Sequence, residues 1–378
     1  MASPKLEVIQ ALRGVAALMV VLLHFKDLIA PVAPGLAAAF EHGYIGVDIF
    51  FLISGFIIYL STAAPDARDA RSFLLRRFCR VVLPAWVAML LAIAVQPPYL
   101  RDLVRGVFFI PLSNTAPPFF GYNFLIVAWT LSYELLFYLV FAGALAFAAG
   151  RRHRGLVASV ALVLLMVAAQ APACCVLDAE RSPLSTLQLG FFPPQLLSLT
   201  ANAMLLAFVV GIGLAWVYSQ AWFTRAARWL LLTAPLGLAL LLTAGVEPGH
   251  GPTRAGPLAL VIVVYALAWQ AWRDARGVDT VPARQPAIAS AAAWRIAVYL
   301  GEVSYSLYLV HPSVKLGLAK AEKALGWQAE PWVGFALACC ATLLLAQLFY
   351  RWVEMPAQRL GRYWSARRAT AHAPLLRA

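Results

Sequence analysis

The stretch ALRGVAALMVVLLHF, residues 11–25, holds an arginine near its start and a histidine near its end, with nothing ionisable between them. Extended to 8–28, it has the length of about 20 apolar residues that a helix needs to span a bilayer. Eleven residues of helix turn through about 1100°, so Arg13 and His24 point within about 20° of each other. They stand about 16 Å apart along the axis. One face of this helix therefore carries a fixed cation deep inside and an imidazole nearer the opposite surface. The plainer alternative is that both are anchors, Arg13 snorkelling one way and His24 sitting among headgroups.

The same apolar character recurs along the chain. Of its 378 residues, 62% are hydrophobic and 12% charged. A soluble domain carries about 25% charged residues, so this composition excludes a soluble globular protein. Ten windows read as spans: 8–28, 44–63, 81–96, 124–148, 155–173, 199–218, 229–245, 258–274, 296–315 and 332–353. The expected fold is thus an all-α polytopic membrane bundle of about ten helices. A transmembrane domain covers 1–356, and a basic tail follows over 357–378. Segment 101–112 is apolar but carries Arg101 and Arg105, which fits an interfacial or re-entrant piece. No small-residue cleavage site follows the first apolar run, so that run reads as a retained helix.

The net charge of +13 is a topology signal, because the basic residues sit in clusters between apolar windows; no nucleic-acid partner is expected. With the N-terminus inside, one side receives Lys5, Arg68/Arg71/Arg76/Arg77/Arg80, Arg151/Arg152/Arg154, Arg225/Arg228, Arg273/Arg276/Arg284/Arg295 and the tail from Arg351 to Arg377. The other keeps Lys26, Arg101, Arg105, Arg181, Arg254, Lys315, Lys320 and Lys323. That asymmetry places both termini in the cytoplasm. The cysteines Cys79, Cys174, Cys175, Cys339 and Cys340 show neither CxxC spacing nor metal-ligand partners, so no metal site is expected.

Ionisable residues inside spans are costly and call for a reason. Asp48, in GYIGVDIFFLISGFIIYL (43–60), lies a few residues inside the outer end of its span, at a depth expected to match His24. A carboxylate there would orient the imidazole and raise its basicity; capping of the helix start is the alternative. In RSFLLRRFCRVVLPAW (71–86), Arg76, Arg77 and Arg80 concentrate positive charge at the cytoplasmic face. Such a patch suits phosphates, although ordinary positive-inside anchoring also accounts for it. In AWTLSYELLFY (128–138), Thr130, Glu134 and Tyr138 recur every fourth residue on one helix face. Glu134, near mid-depth, must face a cavity or a cation. In GEVSYSLYLVHPSV (301–314), Ser304, Tyr308 and His311 form another stripe, and Pro312 is expected to end or kink the helix at His311. Glu354, beside Arg351, reads as a structural terminus at the cytoplasm.

In this order, the stretches resemble the membrane-bound acyltransferase-3 family. Arg13 and His24 match its Arg-x10-His pattern, and GVDIFFLISGF (46–56) matches its second signature. Arg77 and Arg80 match an R-x-x-R element. WTLSYELLFY (129–138) matches with Thr130 for the common serine, SYSLYLVH (304–311) matches through His311, and Glu354 and Pro356 complete an E-x-P. The resemblance covers nearly the whole chain. Some members carry a further soluble hydrolase-like domain, and the match here is to the membrane part.

The resemblance implies an O-acyltransferase that takes acetyl-CoA or another acyl-CoA from the cytoplasm, with His24 as the catalytic histidine. In that layout Arg76, Arg77 and Arg80 dock the phosphates, and Asp48 orients His24. Arg13 contacts the donor or stabilises charge on the thioester oxygen. Glu134, Tyr138, Tyr308 and His311 shape the cavity or meet the acceptor. The implied acceptor is a hydroxyl of a carbohydrate, such as a surface polysaccharide or lipid-linked glycan, reached from the outer loops 97–123 and 174–198. The setting is membrane lipid, that of a bacterial inner membrane. A small cytoplasmic acceptor such as a macrolide or an oligosaccharide signal remains open. So does a proton-coupled transporter or flippase built on the same charges, although no internal repeat supports it.

Overall fold

The computed structural model describes residues 6–62, 69–148, 150–171, 175–184, 193–243, 247–276, 288–326 and 328–372. Lys5, Arg68, Cys174, Arg284, Arg377 and the parts of the expected spans and loops at 63, 172–174, 185–192 and 244–245 lie outside the described residues. Among the described residues there is no strand.

The opening stretch folds as α1 (Glu7–Ile29), with Glu7 in its first turn and Lys26 in its last, each complementing the helix dipole. Proline starts α2 (Pro34–Glu41), and one 3₁₀ turn joins it to α3 (Ile45–Ser61). These two run on as one apolar segment of 28 residues. Asp69 caps α4 (Ala70–Arg77) by accepting from the Arg71 and Ser72 amides at 3.2 and 2.9 Å. A π-helical turn, Phe78–Val82, carries it into α5 (Leu83–Val95). Segment 101–112 forms the short α6 (Leu100–Val107) and leaves helix at Phe108. Next come α7 (Trp129–Phe147), α8 (Arg151–Gln170), α9 (Pro194–Ala201) and α10 (Leu205–Tyr218), the last two bent by 46°. The chain closes with α11 (Ala221–Thr243), α12 (Ala255–Ala275), α13 (Ile288–Glu302), α14 (Ser304–Leu325), α15 (Pro331–Phe349) and α16 (Met355–His372). A second π-helical turn, Tyr350–Glu354, links the final two.

Seven of the described helical segments are long and apolar enough to cross a membrane, or eight with the bent α9–α10 pair, against the ten spans expected. The shortfall lies at two windows. Window 229–245 falls on α11, and window 296–315 straddles a break at Val303 between the 15-residue α13 and α14. Pro312 does not end its helix as expected: α14 runs through it to Leu325. The neighbouring helices supply the packing that a proline inside a membrane helix needs.

α1 is the spine of the bundle, packed by α2, α3, α12, α13, α14 and α15. Two close crossings fix its neighbours. A Cβ on Gly301 would stand 1.8 Å from the Gln10 carbonyl oxygen, and one on Gly14 would stand 2.6 Å from that of Ala297, so only glycine lets α1 and α13 approach this far. On the other side of α3, stacked rings join it to α7 and α10: Phe51 meets Phe208 at 4.9 Å, and Phe208 meets Phe137 at 4.4 Å.

Candidate active site

Between α1, α3, α4–α5, α7 and α14 lies a cavity of about 100 Å³. Arg13 reaches it from α1, Ser54 from α3, and Arg77 and Arg80 from the α4–α5 junction. The α7 stripe Thr130, Glu134 and Tyr138 forms one wall, as its four-residue spacing predicts, and Ser304, Tyr305 and Tyr308 of α14 form another. Arg77 and Arg80, three residues apart, both face the cavity, Arg77 from the last turn of α4 and Arg80 from the π-helical turn that follows. Tyr305 pins that turn by donating to the Val81 carbonyl at 2.7 Å. Arg76 does not line the cavity as expected: it sits on the flank where Gly361 of α16 packs against its Cα.

The charge balance of this space is unusual. Among the described residues, no carboxylate lies within the 4.0 Å ion-pair distance of Arg13, Arg77 or Arg80. Glu134 is engaged elsewhere, accepting from Ser54 Oγ at 3.2 Å and from the Tyr138 hydroxyl on the same oxygen. Arg77 bonds Ser61 Oγ at 3.4 Å, and its guanidinium lies 5.5 Å from the ring centres of both Phe73 and Tyr138. Glu354 is not at a cytoplasmic surface, as its sequence position suggests. It is 2% exposed and accepts from Ser306 Oγ at 2.6 Å and Gln358 Nε2 at 3.0 Å. Glu354 ends the second π-helical turn and lies within electrostatic reach of Arg80 and Arg13. Three guanidiniums thus share a partly buried space in which both nearby carboxylates already hold hydroxyl donors.

The far end of the cavity is closed by Tyr308, whose hydroxyl meets the Val127 carbonyl at 2.9 Å and Thr130 Oγ1 at 3.0 Å. One turn further along α14, His311 is fully buried, with its ring centre 6.1 Å from that of Tyr308. His311 Nε2 stands 3.1 Å from His24 Nδ1, so α1 and α14 bring the two histidines into direct contact. Lys315 reaches the backbone oxygen of His24 and, at 3.0 Å, the Asp27 carboxylate.

Asp48 is not beside His24. The helix register shows why: Gly43 of the linking turn packs against Met19 and Leu23, and Gly46 of α3 packs against Ala16 and Val20. Asp48, further along the antiparallel α3, therefore lies well below His24, a depth missed because the helical run begins at Pro34 rather than near residue 44. Its carboxylate instead holds His250 Nδ1 at 2.9 Å and the Gly251 amide at 2.9 Å, with both side chains buried. Tyr44, Phe119 and Trp129 surround the His250 ring. Sequence reasoning did not single out His250, Ser54 or Tyr305. For His250 the available signal was a histidine between two glycines in a short loop, GHG at 249–251, both glycines at positive φ. Among the described residues, no group of three or more His, Cys, Asp or Glu is placed to hold a metal ion.

The bundle and its cationic cavity define a multi-pass helical membrane protein with a polar site between its helices. The chain belongs to the acyltransferase-3 family, whose model, described as an acyltransferase domain, matches residues 6–351. It is an acyltransferase of that family. It is 29% identical over 346 residues to the exopolysaccharide production protein ExoZ of Rhizobium meliloti (strain 1021), an alignment covering 88% of this chain and 94% of that protein. No solved structure matches the chain.

Proposed function

We propose that this protein moves an acyl group, acetyl as the first candidate, from cytoplasmic acyl-CoA to a hydroxyl of a carbohydrate acceptor such as an exopolysaccharide or its lipid-linked precursor. The membrane would be a bacterial inner membrane. The observation that carries the reading is the trio Arg13, Arg77 and Arg80, without an ion-paired carboxylate, in a cavity that ends one helical turn short of the histidine pair. Guanidiniums in such a space favour a polyanion, and their planar forks match phosphate oxygens. Arg77 and Arg80 sit at the α4–α5 junction, in a basic cluster expected on the cytoplasmic side, the side from which a CoA thioester arrives. A space of about 100 Å³ suits an acyl group or the end of a pantetheine arm, with the phosphates held at the arginine end. The likeness to a protein of exopolysaccharide production supports the carbohydrate acceptor.

In this reading the residues divide the work. Arg13 faces the thioester and offsets negative charge growing on its carbonyl oxygen. His24 takes the proton of the acceptor hydroxyl as that oxygen bonds to the acyl carbon and the carbon–sulfur bond breaks; the departing thiolate then receives a proton from the imidazolium or solvent. Tyr308 and Thr130 separate the donor cavity from the histidines and would have to yield for the thioester to pass. Asp48 acts away from His24, holding the 249–251 loop through His250 and Gly251.

The test is turnover of acyl-CoA by the purified protein with an oligosaccharide acceptor. His24→Ala should lose about 100- to 10,000-fold in kcat, the range a general base contributes. Turnover at the wild-type rate would end the proposal.

A further inference from the structure

The partner that sets the chemistry of His24 is a second histidine. His24 Nδ1 lies 2.8 Å from the Val20 carbonyl oxygen, which only accepts, so this nitrogen carries the proton. His311 Nε2 approaches the same nitrogen at 3.1 Å and must therefore present its lone pair. The proton of His311 is then on its own Nδ1, 3.2 Å from the Leu307 carbonyl oxygen. The one Nδ1–H of His24 is then shared between the Val20 oxygen and His311 Nε2, which leaves His24 Nε2 unprotonated, with no partner among the described residues.

We propose that His311 is the positioning residue of this acyltransferase: it holds His24 in the Nδ1–H tautomer, turns Nε2 toward the acceptor, and accepts from Nδ1–H when Nε2 takes up the acceptor's proton. Which ring nitrogen of a histidine is free is set by the bond the other one makes. His311 suits the task because it is fully buried and its Nδ1 is held by the Leu307 carbonyl in the preceding turn of α14. The charged groups around the pair, Lys315 and Asp27, engage each other and the His24 backbone oxygen rather than either ring. Asp48 is bonded to His250 and cannot substitute.

The proposal rests on the acyl-transfer reading for its kinetic arm only. His311→Ala should lower kcat by about 10- to 100-fold, a part of what a general base contributes, while the KM for acyl-CoA stays within twofold, since His311 is absent from the arginine cavity. His311→Gln, whose amide oxygen can accept from His24 Nδ1–H, should recover about tenfold of that loss. Wild-type kcat in His311→Ala, or equal loss in both variants, overturns the proposal. Nitrogen-15 histidine spectra of the wild-type protein test it independently of turnover and of how the variants fold. With the His24 signal assigned by its absence in His24→Gln, a protonated Nδ1 and bare Nε2 are expected, and the reverse tautomer overturns the proposal.

Discussion

Arg13, Arg77 and Arg80 show what a single side chain decides in this protein. Each is a guanidinium that a membrane interior penalises, and none has an ion-pair partner among the described residues. Their cost is tolerable where the space they line admits an anion. A charge-assisted hydrogen bond is worth about 1.5–3 kcal/mol, and about 1.4 kcal/mol is a factor of ten in affinity. Replacing Arg77 and Arg80 together by alanine should therefore raise the KM for acyl-CoA by at least about tenfold with a smaller effect on kcat; an unchanged KM would return them to topology anchors. Arg76, one residue away, serves as the internal control. It lies off the cavity, so Arg76→Ala should leave that KM near wild type. The sequence shows three clustered arginines alike; how α4 is packed in the bundle separates the two that face the cavity from the one that does not.

At the scale of elements, the bundle depends on where backbones touch. A Cβ on Gly211 of α10 would stand 2.2 Å from the Leu52 carbonyl oxygen, and one on Gly55 of α3 would stand 2.3 Å from that of Phe208. The two helices thus cross glycine against backbone at paired positions, and no side chain can rotate away to relieve a substitution. Gly211→Leu should destabilise the protein by about 1–3 kcal/mol or more, the range of overpacking, read as a lower thermal midpoint in detergent. The same substitution at Gly213, one face away with open space around it, should leave the midpoint unchanged. Glycines 43, 46 and 55, small residues in an apolar run, mark positions where a neighbouring helix can approach closely. Which helices they approach is not written in the sequence, and that register is what separates Asp48 from His24.

Across the whole molecule, the expected outer loops are tied to the bundle by a polar network that no motif announces. Arg254 grips Asp178 with two bonds of 2.9 Å, Glu180 accepts the His250 amide at 3.0 Å, and His250 meets Asp48 in α3. The hydrogen bonds from Arg254, ahead of its charge, hold the Asp178 carboxyl below its usual 3.8. A carboxyl depressed on folding contributes stability above its unfolded pKa, and the contribution fades as pH falls through the lower folded value. Asp178→Asn should thus lower the thermal midpoint at pH 7, and the gap from wild type should close as pH is brought below about 4. A gap independent of pH would show that the pair acts by shape alone. The membrane class, the common face of Arg13 and His24, the α7 stripe and the family motifs could all be read from the chain. Hydropathy, helical period and motif order are local properties that neighbours do not alter. The inward turn of Glu354, the continuity of α14 through Pro312 and the partners of His24 and Asp48 came only from tertiary structure. Each depends on the register between helices distant in sequence, which close backbone contacts and π-helical turns set and which no single helix encodes.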